Sequence, residues 1–266
     1  MAVITVTQGT LEYLRAEHIS VPHCFTTRLG GVSEGDASGL NIGAHREPGM
    51  ENIRENYARL GAALGFSPDR LVLTQQVHGN VVRAVGADDP RGLDHLDYPA
   101  CDALITNTPG IGLVVFTADC TPVLLHDPVT GAVGAVHAGW KGTALDICGK
   151  TVEAMVSHYG CRRQDIRAAI GPNIGLCCFE TDEDVPQALL QTYGESAREH
   201  MIPKGYKYYV NLKAINALAL RRAGVAEIEI SQHCTACMPR HYWSHRKMGN
   251  RRGSQGAIIL CQEVQL

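Results

Sequence analysis

The sequence predicts an α/β chain built on mixed sheets, and three observations carry that reading. Short β-rich apolar runs crowd the middle of the chain at 103–106, 111–117, 122–126 and 131–137, separated by turn signals such as Pro109-Gly110 and Asp127-Pro128. Amphipathic helical periods flank them at 50–64, 144–158, 185–193 and 212–222. No GxGxxG opens a helix after a strand and no GxxxxGK[ST] occurs, so dinucleotide-binding and P-loop folds lack support. Hairpin-length spacings mixed with helices favour a mixed sheet over a regular parallel βαβ array.

Taken in order, Met1-Ala2-Val3-Ile4-Thr5 lacks the basic segment and long apolar run of a signal peptide. No stretch approaches the ~18 apolar residues of a membrane span. A cytoplasmic location is expected. Thr26-Thr27-Arg28-Leu29-Gly30-Gly31-Val32-Ser33 reads as a strand end entering a Gly-rich loop that continues to Gly43. The helix at 50–64 places Ile53, Tyr57, Leu60, Ala63 and Leu64 on one face, with Gly65 as its C-cap. Residues 71–85 read as strands around His78. The helix at 144–158 carries Leu145, Ile147, Cys148, Val152, Met155 and Val156. A strand at 167–170 ends in Gly171-Pro172, and Gly224 closes the helix at 212–222. Residues 226–231 read as a half-buried strand, with Ile228 and Ile230 inward and Glu227 and Glu229 outward. A last apolar strand covers 256–261. With no linker, repeat or low-complexity stretch, residues 1–266 are expected to form a single domain.

The 266 residues are 45% hydrophobic and 19% charged, ordinary for a chain that buries a core. A net charge of −3 argues against nucleic acid as a partner, since Arg162-Arg163 and Arg251-Arg252 are too short to form a basic stripe. A small anion needs only one Arg or Lys. In a reducing compartment the ten cysteines do not form a disulfide framework, and Cys24, Cys148, Cys161 and Cys261 read as core packing.

Three chemistry-bearing residues share one kind of position. His78, Cys120 and His137 each end an apolar, strand-like run. Two imidazoles and a thiolate make a full protein ligand set for a catalytic zinc with one open position. The same residues also read as a metal-free Cys–His dyad, with Cys120 as nucleophile and His137 as base. Asp119 is placed to orient a ligand or move a proton. Trp140-Lys141 could stack on a base and hold a phosphate. Cys234-Thr235-Ala236-Cys237 is a CxxC without the second pair that a structural zinc usually has. Adjacent Cys177 and Cys178 would face opposite ways on a strand, leaving at most one for any given site.

The motifs together resemble a known family. Thr26 to Ser33 with Leu40-Asn41-Ile42-Gly43 is similar to its FTTRxGGVS…LNxG opening. Thr74-Gln75-Gln76-Val77-His78-Gly79, Cys101-Asp102-Ala103-Leu104-Ile105-Thr106, Ala118-Asp119-Cys120-Thr121-Pro122-Val123 and Ala135-Val136-His137-Ala138-Gly139-Trp140-Lys141-Gly142-Thr143 look like its core elements. Ile170-Gly171-Pro172-Asn173-Ile174 through Cys177-Cys178-Phe179-Glu180 matches its IGPxI…CCxE element. This is the YfiH-type family, also called the laccase-domain or polyphenol oxidoreductase family, and the resemblance runs from about Phe25 to Ile259.

The resemblance implies a single-domain layered sandwich with mixed sheets, of the YfiH and toxin-deamidase-like type. It implies a zinc held by His78, Cys120 and His137, with copper the lesser alternative. It implies purine nucleoside phosphorylase activity on adenosine, inosine, guanosine and methylthioadenosine, with adenosine deaminase activity. Rival readings are a metal-independent Cys–His hydrolase or amidase and a copper-dependent polyphenol oxidoreductase. The copper oxidase is disfavoured because no two of the 12 histidines form a His-x-His pair. On this reading the partners are purine nucleosides and phosphate, with neither nucleic acid nor membrane. Arg28 and Lys141 are expected at phosphate, Asn41 and Gln76 at sugar or base, Trp140 against the base and Asp119 at the proton. Two departures fall near the C-terminus and at the LDL element. The family's SxRRDG…TGR carries Met248 for its Asp and Ser254 for its last Arg, and Asn211 stands for the LDL Asp.

Overall fold

Alternation along one buried sheet organises the molecule. In the computed structural model, which describes residues 3–89, 91–95 and 99–264, the first sheet contains β1 (Val3–Gln8), β2 (Leu11–Ala16), β3 (His23–Thr26), β4 (Leu71–Val72), β7 (Gly112–Thr117) and β15 (Gln255–Leu260). Met1 and Ala2, part of the N-terminal stretch read above, lie outside the described residues. Its order is β1-β2-β3-β15-β7-β4. The second sheet contains β5 (Val82–Ala84), β6 (Ala103–Thr106), β8 (Thr121–His126), β9 (Val133–Ala138), β10 (Arg167–Ile170) and β14 (Glu227–Ile230), in the order β14-β10-β8-β9-β6-β5. A small third sheet joins β11 (Glu180–Thr181), β12 (Met201–Lys204) and β13 (Lys207–Val210). The helices are α1 (Glu51–Leu64), α2 (Trp140–Ala144), α3 (Ile147–Tyr159), α4 (Asp184–Tyr193), α5 (Glu195–Arg198), α6 (Leu212–Arg222) and α7 (His245–Met248).

Successive residues of the second sheet feed two different cores. Leu104, Leu124, Ala135 and Ala169 pack toward the first sheet, together with Val115, Ile258 and the α1 residues Ile53, Tyr57 and Leu60. Their neighbours Ala103, Ile105, Val123, Val136 and Ile170 pack against α3, α4 and α6. Both faces are covered, so β8 and β9 are buried without interruption and mostly apolar. Parallel pairs (β4 with β7, β5 with β6, β10 with β14) mix with antiparallel ones, giving the mixed α/β class the sequence predicts.

Local differences have local causes. Of the neighbouring runs expected to pair as hairpins, β8 and β9 do so, whereas β7 crosses from the first sheet into β8 of the second through Ala118-Asp119-Cys120. The helix at 144–158 is two helices. Asp146 adopts φ 57° and its side chain accepts from Gly149 N, capping α3 after α2 has ended. Glu229 points inward, where it lies 2.6 Å from His18 Nδ1 and accepts from Glu17 N, so the alternation assigned to β14 is only partly followed. The hairpin of β1 with β2 and the third sheet carry too weak an apolar pattern to be read from the sequence.

Candidate metal centre

The run at 71–78 stops being a strand at Val72, and His78 sits in the loop before β5 with φ 61°. Cys120 occupies the corner between the two sheets, and His137 lies within β9. Only His137 is therefore a strand residue, but the three side chains converge. Their ligand atoms all lie within 4.8 Å of one another. His78 Nε2 is 3.8 Å from Cys120 Sγ, and the two imidazoles meet edge to face with centroids 4.9 Å apart.

Asp102 organises this corner from behind. Its carboxylate is fully buried and lies 2.8 Å from His137 Nδ1. It also accepts from the backbone N–H groups of Val77, His78 and Gly79 at 3.2, 3.0 and 2.7 Å. One carboxylate thus fixes the ring of one histidine and holds the other in a left-handed conformation that costs roughly 1–3 kcal/mol for a non-glycine residue. With a proton on Nδ1 directed at Asp102, His137 has Nε2 left to face a metal ion that displaces its second proton. The sequence places Asp102 within a family-like motif but does not mark it as a site residue, because its role exists only through these long-range contacts.

Gly139 completes the cradle. A Cβ there would lie 2.9 Å from His78 Cδ2 and 3.2 Å from Cys120 Sγ, so only glycine lets the chain pass so close. Without metal, burial raises the Cys120 thiol, but the charge and hydrogen bonds of His137 and His78 outweigh it and bring the thiol down to about 6. Burial lowers His137, yet Cys120 and Asp102 lift it to about 9. The corner favours a thiolate beside imidazolium, a donor set that a divalent ion can replace protons to join.

The triad lies in an open cleft of about 650 Å³. Phe116, Trp140 and Phe179 line its walls, and His45, Arg46 and Arg252 are also among its lining residues. No carboxylate pairs with Arg46 or Arg252 among the described residues. Burial pulls the Arg252 guanidinium down, and Arg46 pulls it further, while Asp119 and Cys120 oppose them. These basic residues were missed because nothing local in the sequence links 45–46 to 252.

Several expected contacts are relocated. Arg28 donates to Pro239 O and Ser38 O and lies 3.8 Å over the Trp243 ring, away from the cleft lining. Lys141 is exposed and also outside the lining, 5.6 Å from the Trp140 ring. Asn41 is fully buried. Its amide bonds Gly43 O and Glu47, and its oxygen accepts from Gly43 N and Ser254 N. It ties together the two segments that carry Arg46 and Arg252 and lies outside the cleft lining. Gln76 does line the cleft, but its amide closes on both backbone groups of Phe116. Asp119 also lines the cleft, with φ 90°, and its oxygens accept from Thr235 Oγ1, Ser244 Oγ and Arg246 N. That arrangement anchors the Cys120 corner instead of leaving a base free for proton transfer. Met248 ends α7 and Ser254 lines the cleft, while Asn211 caps α6 by accepting from Ala214 N.

A mixed-sheet α/β fold with a His–Cys–His corner, able to hold a metal ion and set in an open cleft, defines a distinct class of protein. The chain belongs to the family described as multi-copper polyphenol oxidoreductase laccase, whose model matches residues 22–262. It is 39% identical over 254 residues to a protein of Deinococcus radiodurans named purine nucleoside phosphorylase, covering 96% of this chain and 94% of that one. It is 36% identical to the purine nucleoside phosphorylase YlmD of Geobacillus stearothermophilus, covering 88% and 86%. The crystal structure of the Bacillus licheniformis protein YfiH superposes with a TM-score of 0.90 at 31% identity, covering 96% of this chain and 98% of that one.

Proposed function

We propose that this chain is a zinc-dependent purine nucleoside phosphorylase acting from a single catalytic domain, with adenosine deamination as a second activity of the same cleft. The observation that carries the reading is the His78–Cys120–His137 corner at a cleft whose lining joins aromatic walls to the guanidinium groups of Arg46 and Arg252, which bond backbone carbonyls and pair with no carboxylate among the described residues. The relatives' names support the activity. Two imidazoles and one thiolate suit zinc, and three ligands leave a position for substrate. The Gly139 cradle and the orientation of His137 by Asp102 fit that ion. Zinc bound there supplies Lewis-acid charge to a phosphate or water oxygen.

The chain's own residues do the rest. Arg46 and Arg252 attract and orient phosphate, taking the part first expected of Arg28 and Lys141. Phe116, Trp140 and Phe179 offer apolar faces to a purine. Asp102 keeps the His137 proton on Nδ1. The donor set also argues against a multi-copper centre, which needs clustered imidazoles, whereas the metal-capable groups among the described residues are one His–Cys–His set and one of four cysteines.

Incubating the purified protein with adenosine and phosphate tests the reading. Adenine and ribose 1-phosphate are expected, with inosine as a minor product. Chelation should abolish both products and zinc restore them. Zinc-loaded protein that releases neither adenine nor ribose 1-phosphate from adenosine, inosine, guanosine or methylthioadenosine overturns it, and activity indifferent to chelation returns the Cys–His hydrolase. Arg252→Ala should raise KM for phosphate by about tenfold, the range of a lost charge-assisted hydrogen bond.

A further inference from the structure

A second sulfur cluster lies beside the cleft. Cys177, Cys178, Cys234 and Cys237 bring their Sγ atoms within 4.8 Å of one another. Cys177 and Cys178 do not lie on a strand. Cys178 N and Phe179 N both bond Gly175 O, so this stretch is a tight turn and the alternation that would separate neighbouring side chains does not apply. The CxxC also forms a turn, closed by Met238 N to Cys234 O. The two turns are pinned together by Thr235 N to Asn173 O and by Gly175 N donating to Cys234 Sγ at 3.1 Å. The pair of ligands that the CxxC lacks in sequence is thus supplied some 60 residues away.

We propose that these four cysteines form a structural zinc site. Cys237 Sγ is 3.5 Å from Cys177 Sγ and 3.4 Å from Cys178 Sγ. Four sulfurs around zinc at about 2.3 Å stand about 3.8 Å apart at tetrahedral corners, whereas a disulfide needs about 2.05 Å. All four are free thiols, and one donor shared evenly between two others is the pattern of a ligand set rather than of a bonded pair. A Cβ on Gly175 would lie 3.2 Å from Cys234 Cβ and 3.3 Å from Cys177 Sγ, so this position too is kept small where sulfurs converge. An N–H aimed at a sulfur stabilises thiolate charge, as ligation by zinc requires.

The site has a place in the cleft's construction. It joins the segment carrying Ile174 and Phe179, both cleft-lining, to the segment carrying Thr235, which holds Asp119. Ile174, Cys234 and Ala236 form a small core of their own, against which Phe179 packs. With so little apolar area there, an ion is an effective way to fix two turns to each other.

Metal analysis of protein purified without added metal tests this. Two zinc ions per chain are expected, one for each ligand set. Cys177→Ser with Cys237→Ser should lose one ion and keep the other, while His78→Ala with His137→Ala should do the reverse. Should the cysteine variant not fold, cobalt substitution of the intact protein decides instead, because the four-thiolate site adds a tetrahedral cobalt spectrum with intense sulfur charge-transfer bands that survives the histidine substitutions. Unchanged metal content in the cysteine variant, no such spectrum in the histidine variant, or a disulfide among these four found by peptide mass analysis of freshly purified protein each overturns the proposal. An ion retained by the cysteines but absent from the triad leaves this proposal standing and removes the zinc-dependent reading of the cleft.

Discussion

The His78–Cys120–His137 corner and the cluster of Cys177, Cys178, Cys234 and Cys237 solve the same packing problem and differ in one count. Each gathers donors from distant segments, and each has a glycine where a Cβ would crowd the donors, Gly139 in one and Gly175 in the other. The corner offers three donors and faces an open cleft, and the cluster offers four and faces two turns. Three ligands leave a coordination position for chemistry and four close it. The supports differ accordingly. A buried carboxylate orients the histidine corner, whereas backbone bonds and one N–H to sulfur hold the cysteines.

The sharpest way to break this contrast is to remove a ligand from each. His78→Ala should lower kcat/KM for adenosine phosphorolysis on the order of 10³-fold, the effect of several kcal/mol of lost Lewis-acid stabilisation, with little change in Tm. Cys237→Ser should lower Tm while kcat/KM of the folded fraction stays within about tenfold, since it acts only through Phe179 and Asp119. Equal losses of activity, with unchanged stability in both, would erase the distinction.

Asp102→Asn comes next. The amide keeps the shape but cannot hold the His137 proton on Nδ1 with the same charge, and loss of such a partner typically costs about 10–100-fold in metal affinity or activity. A zinc titration of the variant followed by activity reads this directly. No change would mean that the contacts to Val77 and Gly79, which the amide oxygen can still accept, suffice to position the corner.

These sites also show what a sequence can and cannot expose. The strands from 103 to 138 were legible because both faces are buried, and the three metal-capable residues were legible because they close apolar runs within specific motifs. Asp102 and Arg252 were not, since each acquires its role from partners tens or hundreds of residues away. The cysteine cluster was misread for a different reason. Strand alternation would separate Cys177 and Cys178, but they lie in a turn closed on Gly175 O. Glu229 escaped likewise, since its buried partner His18 comes from the far end of the chain.

Metal-free protein separates the two thiol environments by reactivity. Cys120 is brought down to about 6, so its thiolate, the reactive form, is present above that pH and lost as pH falls through it. Cys177 is raised to about 11, first by the water its crowded sulfur loses to the neighbouring thiols and then by hydrogen bonds with Cys237 and Cys234, and stays protonated until pH approaches that value. Iodoacetamide at pH 7 should therefore label half-buried Cys120 about tenfold faster than exposed Cys177, with a half-point near pH 6 for Cys120, as read by peptide mass analysis. Zinc should protect both. Faster labelling of Cys177 would show that exposure outweighs the imidazole pair.

The smallest effect expected is also the most specific to the cluster. Gly175→Ala adds one methyl group at 3.2–3.4 Å from Cys234 Cβ, Cys177 Sγ and Cys234 Sγ, a contact tight enough to push the sulfurs apart without breaking the turn. A cost near 1 kcal/mol lowers Tm by about 2–4 °C in a chain of this size. Activity should stay within about twofold, because Ile174 and Phe179 keep their packing. Gly139→Ala is the matched control. Its methyl group meets His78 Cδ2 at 2.9 Å and Cys120 Sγ at 3.2 Å, so there activity should fall further than stability. If Gly175→Ala instead lowers activity and leaves Tm unchanged, the cysteine cluster takes part in the cleft's chemistry and the division between a working centre and a structural one fails.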